Sequence, residues 1–273
     1  MFEFPTDAGP LARPFGGPFY HLDCPMSESL VVNEIYLSLQ GESTWAGLPC
    51  IFVRLTGCGL RCSYCDTAYA FTQGQRQSVA DLLAEVRRLA STYSARGHAG
   101  SGTSRLPLVE FTGGEPLLQK QAAPTMKALC DEGFTVLVET SGAYDLSVLD
   151  PRVHAIMDLK APGSGEVTRN RWENIPLLKP TDEVKFVLGS WEDYAWAKQM
   201  LVEHQLVNRC PILFSWVAPL GPQQLDKSLK PIPTGHRPIS RRELVEAIVQ
   251  DRLPVRFQLQ MHKFVWPIDE RGV

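Results

Sequence analysis

The chain has 273 residues, 44% of them hydrophobic, and its 27 basic and 30 acidic residues leave a net charge of −3. This length suits one α/β domain or two small ones and is enough to bury a substantial core. No lysine and arginine block predicts a nucleic-acid surface, and the apolar runs are strand-sized, so we expect no membrane span.

The first 28 residues are rich in proline and glycine and show no hydrophobic period. We therefore expect an irregular extension over 1–28, followed by a folded domain over 29–273. Glu3 and Asp7 lie where a secretory signal would carry basic and then apolar residues, so the N-terminus does not resemble one.

From residue 30 onward, short apolar strands alternate with amphipathic helices. Strands are predicted at 31–37, 51–55, 108–111, 134–138, 154–157, 184–188, 212–215 and 255–259. Helices are predicted at 79–93, 119–131, from 191, and at 241–250, with Ser78 and Ser240 as N-caps. This alternation is typical of βαβ units around a parallel sheet, and roughly six units are too few for an eight-fold barrel.

Four polar motifs follow predicted strands. They are the cysteine loop 58–65, Thr112-Gly-Gly-Glu-Pro116, Glu139-Thr-Ser-Gly142 and Asp158-Leu-Lys160. Because the carboxyl ends of parallel strands meet at one rim, we expect these motifs to converge there.

Cys58, Cys62 and Cys65 form a C-x3-C-x2-C triplet. Three thiolates in a tight loop suit three corners of a [4Fe–4S] cube, whereas an electron-transfer cluster usually takes four cysteines. A zinc knuckle or a thioredoxin-like pair at Cys62 and Cys65 is the alternative, but zinc would need a second cysteine pair and the remaining cysteines are isolated. An exposed iron–sulfur loop requires reducing conditions, which predicts the cytoplasm.

The Gly-Gly-Glu-Pro turn would let the backbone approach a ligand closely, and the Glu115 carboxylate could accept hydrogen bonds from an ammonium group. Taken alone, a Gly-Gly turn before a helix is more often a simple break between elements. Thr140 and Ser141, after the strand predicted at 134–138, and Lys160, after the strand predicted at 154–157, could reach a ligand at the rim. Helix capping and a solvated lysine are the alternatives for these three residues.

The triplet, with Tyr64 before its last cysteine and Gly-Gly-Glu-Pro in the next βα unit, resembles the radical S-adenosylmethionine (SAM) superfamily. The resemblance implies an α/β fold with a partial (β/α)6-type, TIM-like barrel. It also implies an open iron that binds SAM and yields a 5′-deoxyadenosyl radical. Ser141 and Lys160 would then contact the SAM ribose or carboxylate.

The flanking residues are similar to those of the 7-carboxy-7-deazaguanine synthase family, from about residue 30 to the end. They are Gln40-Gly41-Glu42, Arg54, Asp66-Thr67, Gln260-Met-His-Lys263 and Arg271-Gly-Val273. The resemblance implies ring contraction of 6-carboxy-5,6,7,8-tetrahydropterin with loss of ammonia and with SAM regenerated. It further implies a homodimer, Mg2+, and an electron donor of the flavodoxin or ferredoxin type.

The same resemblance assigns roles by position. Cys58, Cys62 and Cys65 would hold the cluster, Tyr64, Cys65, Asp66 and Gly114 would line SAM, and Thr67 would bind Mg2+. Leu39, Gln40, Gly41, Arg54 and Thr112 would hold the substrate.

Physical chemistry supports parts of this assignment. Arg54 is a permanent cation inside an apolar strand and suits a substrate carboxylate, although it could instead pair with a structural carboxylate. A hydroxyl at Thr67 suits the hard cation Mg2+, or Thr67 could cap a loop. Glu42 could accept the adjacent N–H groups of the pterin edge, and His262 could bind substrate or shuttle a proton unless it is structural.

Two other functions compete with this interpretation. A glycyl-radical-enzyme activase shares the cluster and the SAM turn but often carries an added cysteine-rich insert, and a non-catalytic metal-binding module would cleave no SAM. The N-terminal extension and the loops 96–105 and 223–237 depart from a minimal family member without interrupting a motif.

Overall fold

The computed structural model describes residues 28–94, 107–267 and 270–272. The predicted extension, apart from Glu28, and the loop 96–105 lie outside the described residues, and the domain boundary at 28 stays a prediction. No helix in the described ranges has the length and apolar character needed to cross a membrane.

The described residues form nine strands and five α-helices, close to the predicted positions. The strands are β1 (Ser29–Leu39), β2 (Pro49–Leu55), β3 (Gln75–Ser78), β4 (Leu108–Gly113), β5 (Val136–Thr140), β6 (His154–Asp158), β7 (Glu183–Leu188), β8 (Ile212–Trp216) and β9 (Arg256–Gln258). The helices are α1 (Val79–Ser94), α2 (Ala122–Asp131), α3 (Trp191–Glu203), α4 (Arg241–Gln250) and α5 (His262–Val265).

All nine strands join one sheet in the order β3-β1-β2-β4-β5-β6-β7-β8-β9. β2 and β4 to β9 run parallel, and β1 is antiparallel to both of its neighbours. The predicted α/β partial barrel is therefore confirmed, with seven parallel strands where about six units were expected.

Two features of the sheet were not predicted. β3 (Gln75–Ser78) was assigned to no strand, because its polar residues show no alternation, yet it pairs with the first four residues of β1 at the sheet edge. The crossover from β5 to β6 contains only a short 3-10 turn at Leu146–Val148 instead of an α-helix.

The two faces of the sheet differ because successive side chains on a strand point to opposite sides. On β4, Val109 and Phe111 join the apolar core that packs against α1 and α2. Glu110 and Thr112 face the other way, into a cavity. A small apolar cluster closes the base of that side: Cys50, Phe52, Leu108, Leu137 and Ile156.

The predicted N-caps are confirmed. The Ser78 hydroxyl accepts a bond from the Asp81 N–H at 3.0 Å. Ser240 and Glu243 form the reciprocal capping box at the start of α4. Such caps satisfy backbone N–H groups that have no partner within the helix, so each helix start is fixed locally.

Candidate active site

A cavity of about 440 Å³ opens at the carboxyl ends of the parallel strands. Apart from Glu115, the residues predicted from the sequence to bind cofactor, substrate or metal lie on its wall: Leu39, Gln40, Gly41, Glu42, Arg54, Cys58, Cys62, Tyr64, Cys65, Asp66, Thr67, Thr112, Gly114, Ser141, Lys160 and His262. The predicted convergence of the polar motifs at one rim is confirmed, whereas the ligand of each residue stays a prediction.

The cysteine loop follows β2 directly, and its three thiols are free of disulfides. The Leu60 N–H donates to Cys58 Sγ at 3.4 Å, and the Cys65 N–H donates to the Cys62 carbonyl at 3.2 Å. Burial raises the pKa of all three thiols. Metal binding would therefore have to displace their protons.

A single metal ion needs its ligands to converge on one point, whereas a cube spreads its cysteines over different irons. Within the described ranges, no three His, Cys, Asp or Glu side chains are grouped so as to hold a metal ion. The zinc alternative therefore gains no support from the geometry.

The Gly-Gly-Glu-Pro turn is compact because its glycines contact backbone. Gly113 has a φ of 123°, and a Cβ on Gly114 would lie 2.1 Å from the Gly57 carbonyl oxygen. Only glycine fits positions with such short approaches or positive φ without strain. The turn is thereby held against the start of the cysteine loop.

Glu115 does not line the cavity, which corrects the expectation that its carboxylate would receive an ammonium group. It is fully buried and accepts bonds from Thr140 Oγ1 at 2.8 Å, from the Ser141 N–H at 2.8 Å and from Ser141 Oγ at 2.5 Å. The carboxylate therefore joins the turn after β4 to the end of β5. The Ser141 hydroxyl is engaged in this brace and caps no helix.

Lys160 is buried, so the solvated-lysine alternative is wrong. Its Nζ donates to Asp158 Oδ2 at 2.8 Å. Burial alone would lower the pKa of Lys160, but the attraction of Asp158 and of neighbouring Cys62 and Tyr64 outweighs it and raises the pKa.

Two polar atoms in the cavity wall have no protein partner. The Tyr64 hydroxyl and Asp158 Oδ1 are buried and make no hydrogen bond within the described structure. Buried polar groups are nearly always hydrogen-bonded, so this part of the wall fits a polar ligand that supplies both a donor and an acceptor.

Arg54 pairs with a structural carboxylate, as the alternative interpretation of this residue predicted, and it also lines the cavity. Its Nε donates to Glu34 Oε1 at 2.7 Å and its Nη2 to the Tyr36 hydroxyl at 2.8 Å. Tyr69 donates to the same Glu34 oxygen at 3.0 Å. These contacts fix the guanidinium at the cavity wall with its charge retained.

Gln40 uses its side chain internally. Its amide nitrogen donates to Glu110, and its Oε1 accepts the Glu42 N–H at 3.0 Å. Gln40 is only 2% exposed, and these two bonds let its side chain position the backbone at Glu42.

Glu42 lies in a network of donors. Its Oε2 accepts from Lys185 Nζ at 3.1 Å and from Gln258 Nε2 at 2.9 Å, and its Oε1 accepts from Gln260 Nε2 at 3.0 Å. Burial would raise its pKa, but the charges of Lys185 and His262 lower it below the ordinary value. Glu42 is therefore an oriented carboxylate with one accepting position left on Oε1.

Sequence reasoning did not single out Lys185 or Glu139 as site residues. Lys185 also donates to Glu139 Oε1 at 2.8 Å, and Thr112 Oγ1 donates to Glu139 Oε2 at 3.1 Å. The signal was present, since Lys185 stands inside an apolar strand just as Arg54 does. A long charged side chain at such a position must find a partner or a ligand.

Gly41 and His262 are in direct contact, although they lie far apart in sequence. A Cβ on Gly41 would lie 2.4 Å from His262 Nδ1, and the Met261 N–H donates to the Gly41 carbonyl at 2.9 Å. Glycine at 41 therefore lets α5 close on the end of β1, which brings the imidazole to the cavity wall.

Asp66 and Thr67 follow the last cysteine. Asp66 Oδ2 accepts from Lys263 Nζ at 2.6 Å and from Gln260 Nε2 at 3.1 Å. Burial would raise the pKa of Asp66, but the Lys263 charge and these bonds lower it to about 2. Thr67 makes no side-chain capping bond at the short turn that it precedes, so the capping alternative is wrong, and its Oγ1 lies 3.8 Å from Cys65 Sγ.

Curated relatives resemble this chain along nearly its whole length. A 7-carboxy-7-deazaguanine synthase of Chlorobaculum tepidum is 40% identical over 247 residues, 89% of this chain and 97% of the relative. The synthase of Koribacter versatilis is 39% identical over 244 residues, 89% of this chain and 99% of the relative. The synthase of Methanospirillum hungatei is 32% identical over 249 residues, 90% of this chain and 89% of the relative.

Among solved structures, the fold is similar to the crystal structure of QueE from Escherichia coli. The TM-score is 0.61 at 21% identity, over 86% of this chain and 95% of that one. At this identity the likeness shows the fold alone. No family model matches the chain.

Proposed function

Because the chain belongs to the 7-carboxy-7-deazaguanine synthase family, we propose that it converts 6-carboxy-5,6,7,8-tetrahydropterin to 7-carboxy-7-deazaguanine and ammonia. The observation that carries this proposal is that the cysteine triplet, Arg54 and Glu42 line one cavity. Its volume of about 440 Å³ lies in the ordinary range for small-molecule sites.

The cysteine triplet is the proposed holder of a [4Fe–4S] cluster, with one iron left open for SAM. When bound, these groups would supply the 5′-deoxyadenosyl radical that abstracts hydrogen from the substrate. Tyr64, Asp66, Gly114, Ser141 and Lys160 would line SAM. The partnerless Tyr64 hydroxyl and Asp158 Oδ1 support this placement, since SAM brings ammonium, carboxylate and hydroxyl groups.

Arg54 would bind the substrate carboxylate. Its Nε and Nη2 are held by Glu34 and Tyr36, which orients the guanidinium before the substrate arrives. A charge-assisted hydrogen bond from a pre-oriented guanidinium is short and strong, so it would fix the carboxylate end of the pterin.

The opposite edge of the pterin would meet Glu42 and the 39–41 segment. Glu42 Oε1 can accept one further N–H beside the Gln260 bond, so Glu42 would take one donor of the edge rather than the two first expected. Since the Gln40 side chain is engaged with Glu110, the segment would contact substrate through backbone atoms. His262, packed on Gly41, would reach the same edge.

Four further parts of the family resemblance belong to the proposal. Thr67 would provide one oxygen ligand to Mg2+, which commonly completes its shell with water and substrate oxygens. A flavodoxin- or ferredoxin-type protein would supply the electron, and the enzyme would be a homodimer. An iron–sulfur site of this kind would work under reducing conditions, as in the cytoplasm.

The two competing functions find no support among the relatives. A glycyl-radical-enzyme activase acts on a protein, whereas the relatives at 32–40% identity are named for a deazaguanine product. A non-catalytic metal module would not call for a polar cavity lined by Arg54 and Glu42.

Anaerobic reconstitution with iron and sulfide, followed by SAM, dithionite, Mg2+ and 6-carboxy-5,6,7,8-tetrahydropterin, tests the proposal. We expect iron uptake and a product with the mass and ultraviolet spectrum of 7-carboxy-7-deazaguanine. Formation of 5′-deoxyadenosine without pterin conversion would contradict the proposed substrate. Failure to take up iron would contradict the cluster itself.

A further inference from the structure

The loop 223–237 lies against the cysteine loop, and we call it the covering loop. It follows β8 and leads to α4, and its residues 223–226 line the cavity. The Gln224 Nε2 donates to the Asp66 carbonyl at 3.4 Å, next to Cys65.

Lys230 makes the second contact of the covering loop with the cysteine loop, at Arg61, which lies between Cys58 and Cys62. Its backbone N–H donates to the Arg61 carbonyl at 2.9 Å. Its Nζ lies 2.9 Å from Glu166 Oε2 and donates to the Gly165 carbonyl at 2.7 Å. The covering loop therefore touches the cysteine loop between its first two cysteines and again just after its last one.

Both backbone polar groups of Arg61 are hydrogen-bonded. Its N–H donates to Glu166 Oε1 at 2.7 Å, while its carbonyl accepts from Lys230. Glu166 is 4% exposed and thus depends on these partners, because a buried carboxylate left unpaired is costly.

Packing supports the same contact. Gly165 has a φ of 73°, and a Cβ there would lie 3.0 Å from Lys230 Cδ and 3.2 Å from its Cβ. The absence of a side chain at 165 thus leaves room for the lysine stem to lie across this turn. Charge, hydrogen bonds and close packing all fix Lys230 at one place.

We propose that Lys230 is a positioning residue for the iron–sulfur site. Its side chain ties the covering loop to Glu166, which holds the Arg61 N–H, and thereby fixes the chain between Cys58 and Cys62 and limits the access of solvent and oxidants to the cluster. This inference rests on the proposed function, since it takes the cysteines to hold a cluster.

The test compares cluster retention in four reconstituted proteins: wild type, Lys230→Met, Lys230→Arg and Lys227→Met. Lys227 is an exposed lysine of the same loop with no hydrogen bond shown among the described residues, so it is the matched control. Iron and sulfide per chain are measured first. The visible absorbance of the cluster is then followed in air-saturated buffer and, separately, with an iron chelator.

We expect Lys230→Met to load a cluster and lose it about fivefold faster than wild type, because the partly buried ion pair that closes the loop is gone. Lys230→Arg should restore most of the retention, and Lys227→Met should match wild type. The thermal midpoint of the iron-free chain should fall slightly in Lys230→Met, because Glu166 loses one partner, and should stay unchanged in Lys230→Arg and Lys227→Met.

Glu166→Gln supplies a second, independent variant. It should speed cluster loss like Lys230→Met, and the double variant should lose the cluster no faster than either single one, since both remove the same interaction. Equal rates of cluster loss in wild type and Lys230→Met would overturn this inference but not the proposed function. A lowered thermal midpoint of Lys230→Met together with normal cluster retention would do the same. A wild-type chain that bound no iron would overturn the proposed function as well.

Discussion

At the scale of single residues, charged side chains placed inside apolar strands define this site. Arg54, Glu110 and Lys185 lie on β2, β4 and β7, and each turns toward the cavity. Desolvating a charge is unfavourable unless a partner or ligand compensates it. Arg54 and Lys185 pair with carboxylates, whereas Glu110 bonds, among the described residues, only to the Gln40 amide, so the three residues respond differently to substitution.

Replacing Arg54 by glutamine should weaken substrate binding. Loss of a hydrogen bond to a charged group costs about 1.5–3 kcal/mol, which corresponds to roughly a 10- to 100-fold higher KM. kcat should change less if the contact is equal in ground and transition states. Steady-state kinetics with varied pterin measure both constants. Arg76→Gln, an exposed arginine on β3, is the control, and an unchanged KM in Arg54→Gln would remove the assigned role.

Glu110 makes stability depend on pH. Burial raises its pKa well above 4.5, and the Glu139 carboxylate raises it further, while Lys185 opposes and Glu42 and Arg54 add smaller effects. The folded state therefore holds the proton more tightly than the unfolded chain. This contribution is fully present below about pH 4.5 and is lost as pH rises through the folded-state pKa.

Glu110→Gln should abolish this loss of stability at high pH, because a neutral amide has no proton to release and its oxygen can still accept the hydrogen bond from Gln40. Urea unfolding of the iron-free chain between pH 5 and pH 9 would show this as equal stability at low pH and higher stability of the variant at high pH. Glu246→Gln on the exposed face of α4 is the control. Parallel pH curves for Glu110→Gln and wild type would refute the assignment.

At the scale of elements, the turn after β4 connects the cysteine loop to the sheet. Gly114 contacts the Gly57 carbonyl, and Glu115 binds the end of β5. One short segment thus sets the spacing between the proposed cluster loop and two neighbouring strands. The turn should therefore tolerate added atoms poorly.

Gly114→Ala tests this spacing. The new Cβ would meet backbone at 2.1 Å, so the turn must shift, at a cost typical of overpacking of about 1–3 kcal/mol. We expect a lower thermal midpoint together with reduced iron loading after reconstitution. Gly133→Ala is the control: its φ of 88° strains an alanine and should lower the thermal midpoint, but nothing lies within 4 Å of the added carbon, so iron loading should stay normal. Normal loading in Gly114→Ala would contradict the account.

Sequence patterns predict the parts of this fold that depend on neighbouring residues. Strand alternation, the caps at Ser78 and Ser240, and the cysteine spacing are all local signals, and they located the elements and the rim. The partners of Glu115 and Gln40 are not local: Gln40 meets Glu110 seventy residues away. No local pattern distinguishes a glutamine that touches substrate from one that positions its neighbours.

At the scale of the whole molecule, an open sheet with a polar cavity at its carboxyl edge explains why distant motifs act together. The end of β1 and α5 bring the 39–42 segment, His262 and Lys263 together on one part of the cavity wall, and the parallel strands supply the floor. The covering loop lies against the cysteine loop. Cofactor and substrate groups would thereby meet in one cavity.

The most direct test of the account is a turnover measurement with less SAM than substrate. The reconstituted chain, dithionite, Mg2+ and excess 6-carboxy-5,6,7,8-tetrahydropterin are incubated anaerobically, and 7-carboxy-7-deazaguanine, ammonia and 5′-deoxyadenosine are quantified. We predict equal amounts of deazaguanine and ammonia, both exceeding the SAM supplied, with little 5′-deoxyadenosine. Deazaguanine limited to one per SAM would contradict SAM regeneration, and its absence while 5′-deoxyadenosine accumulates would contradict the proposed reaction.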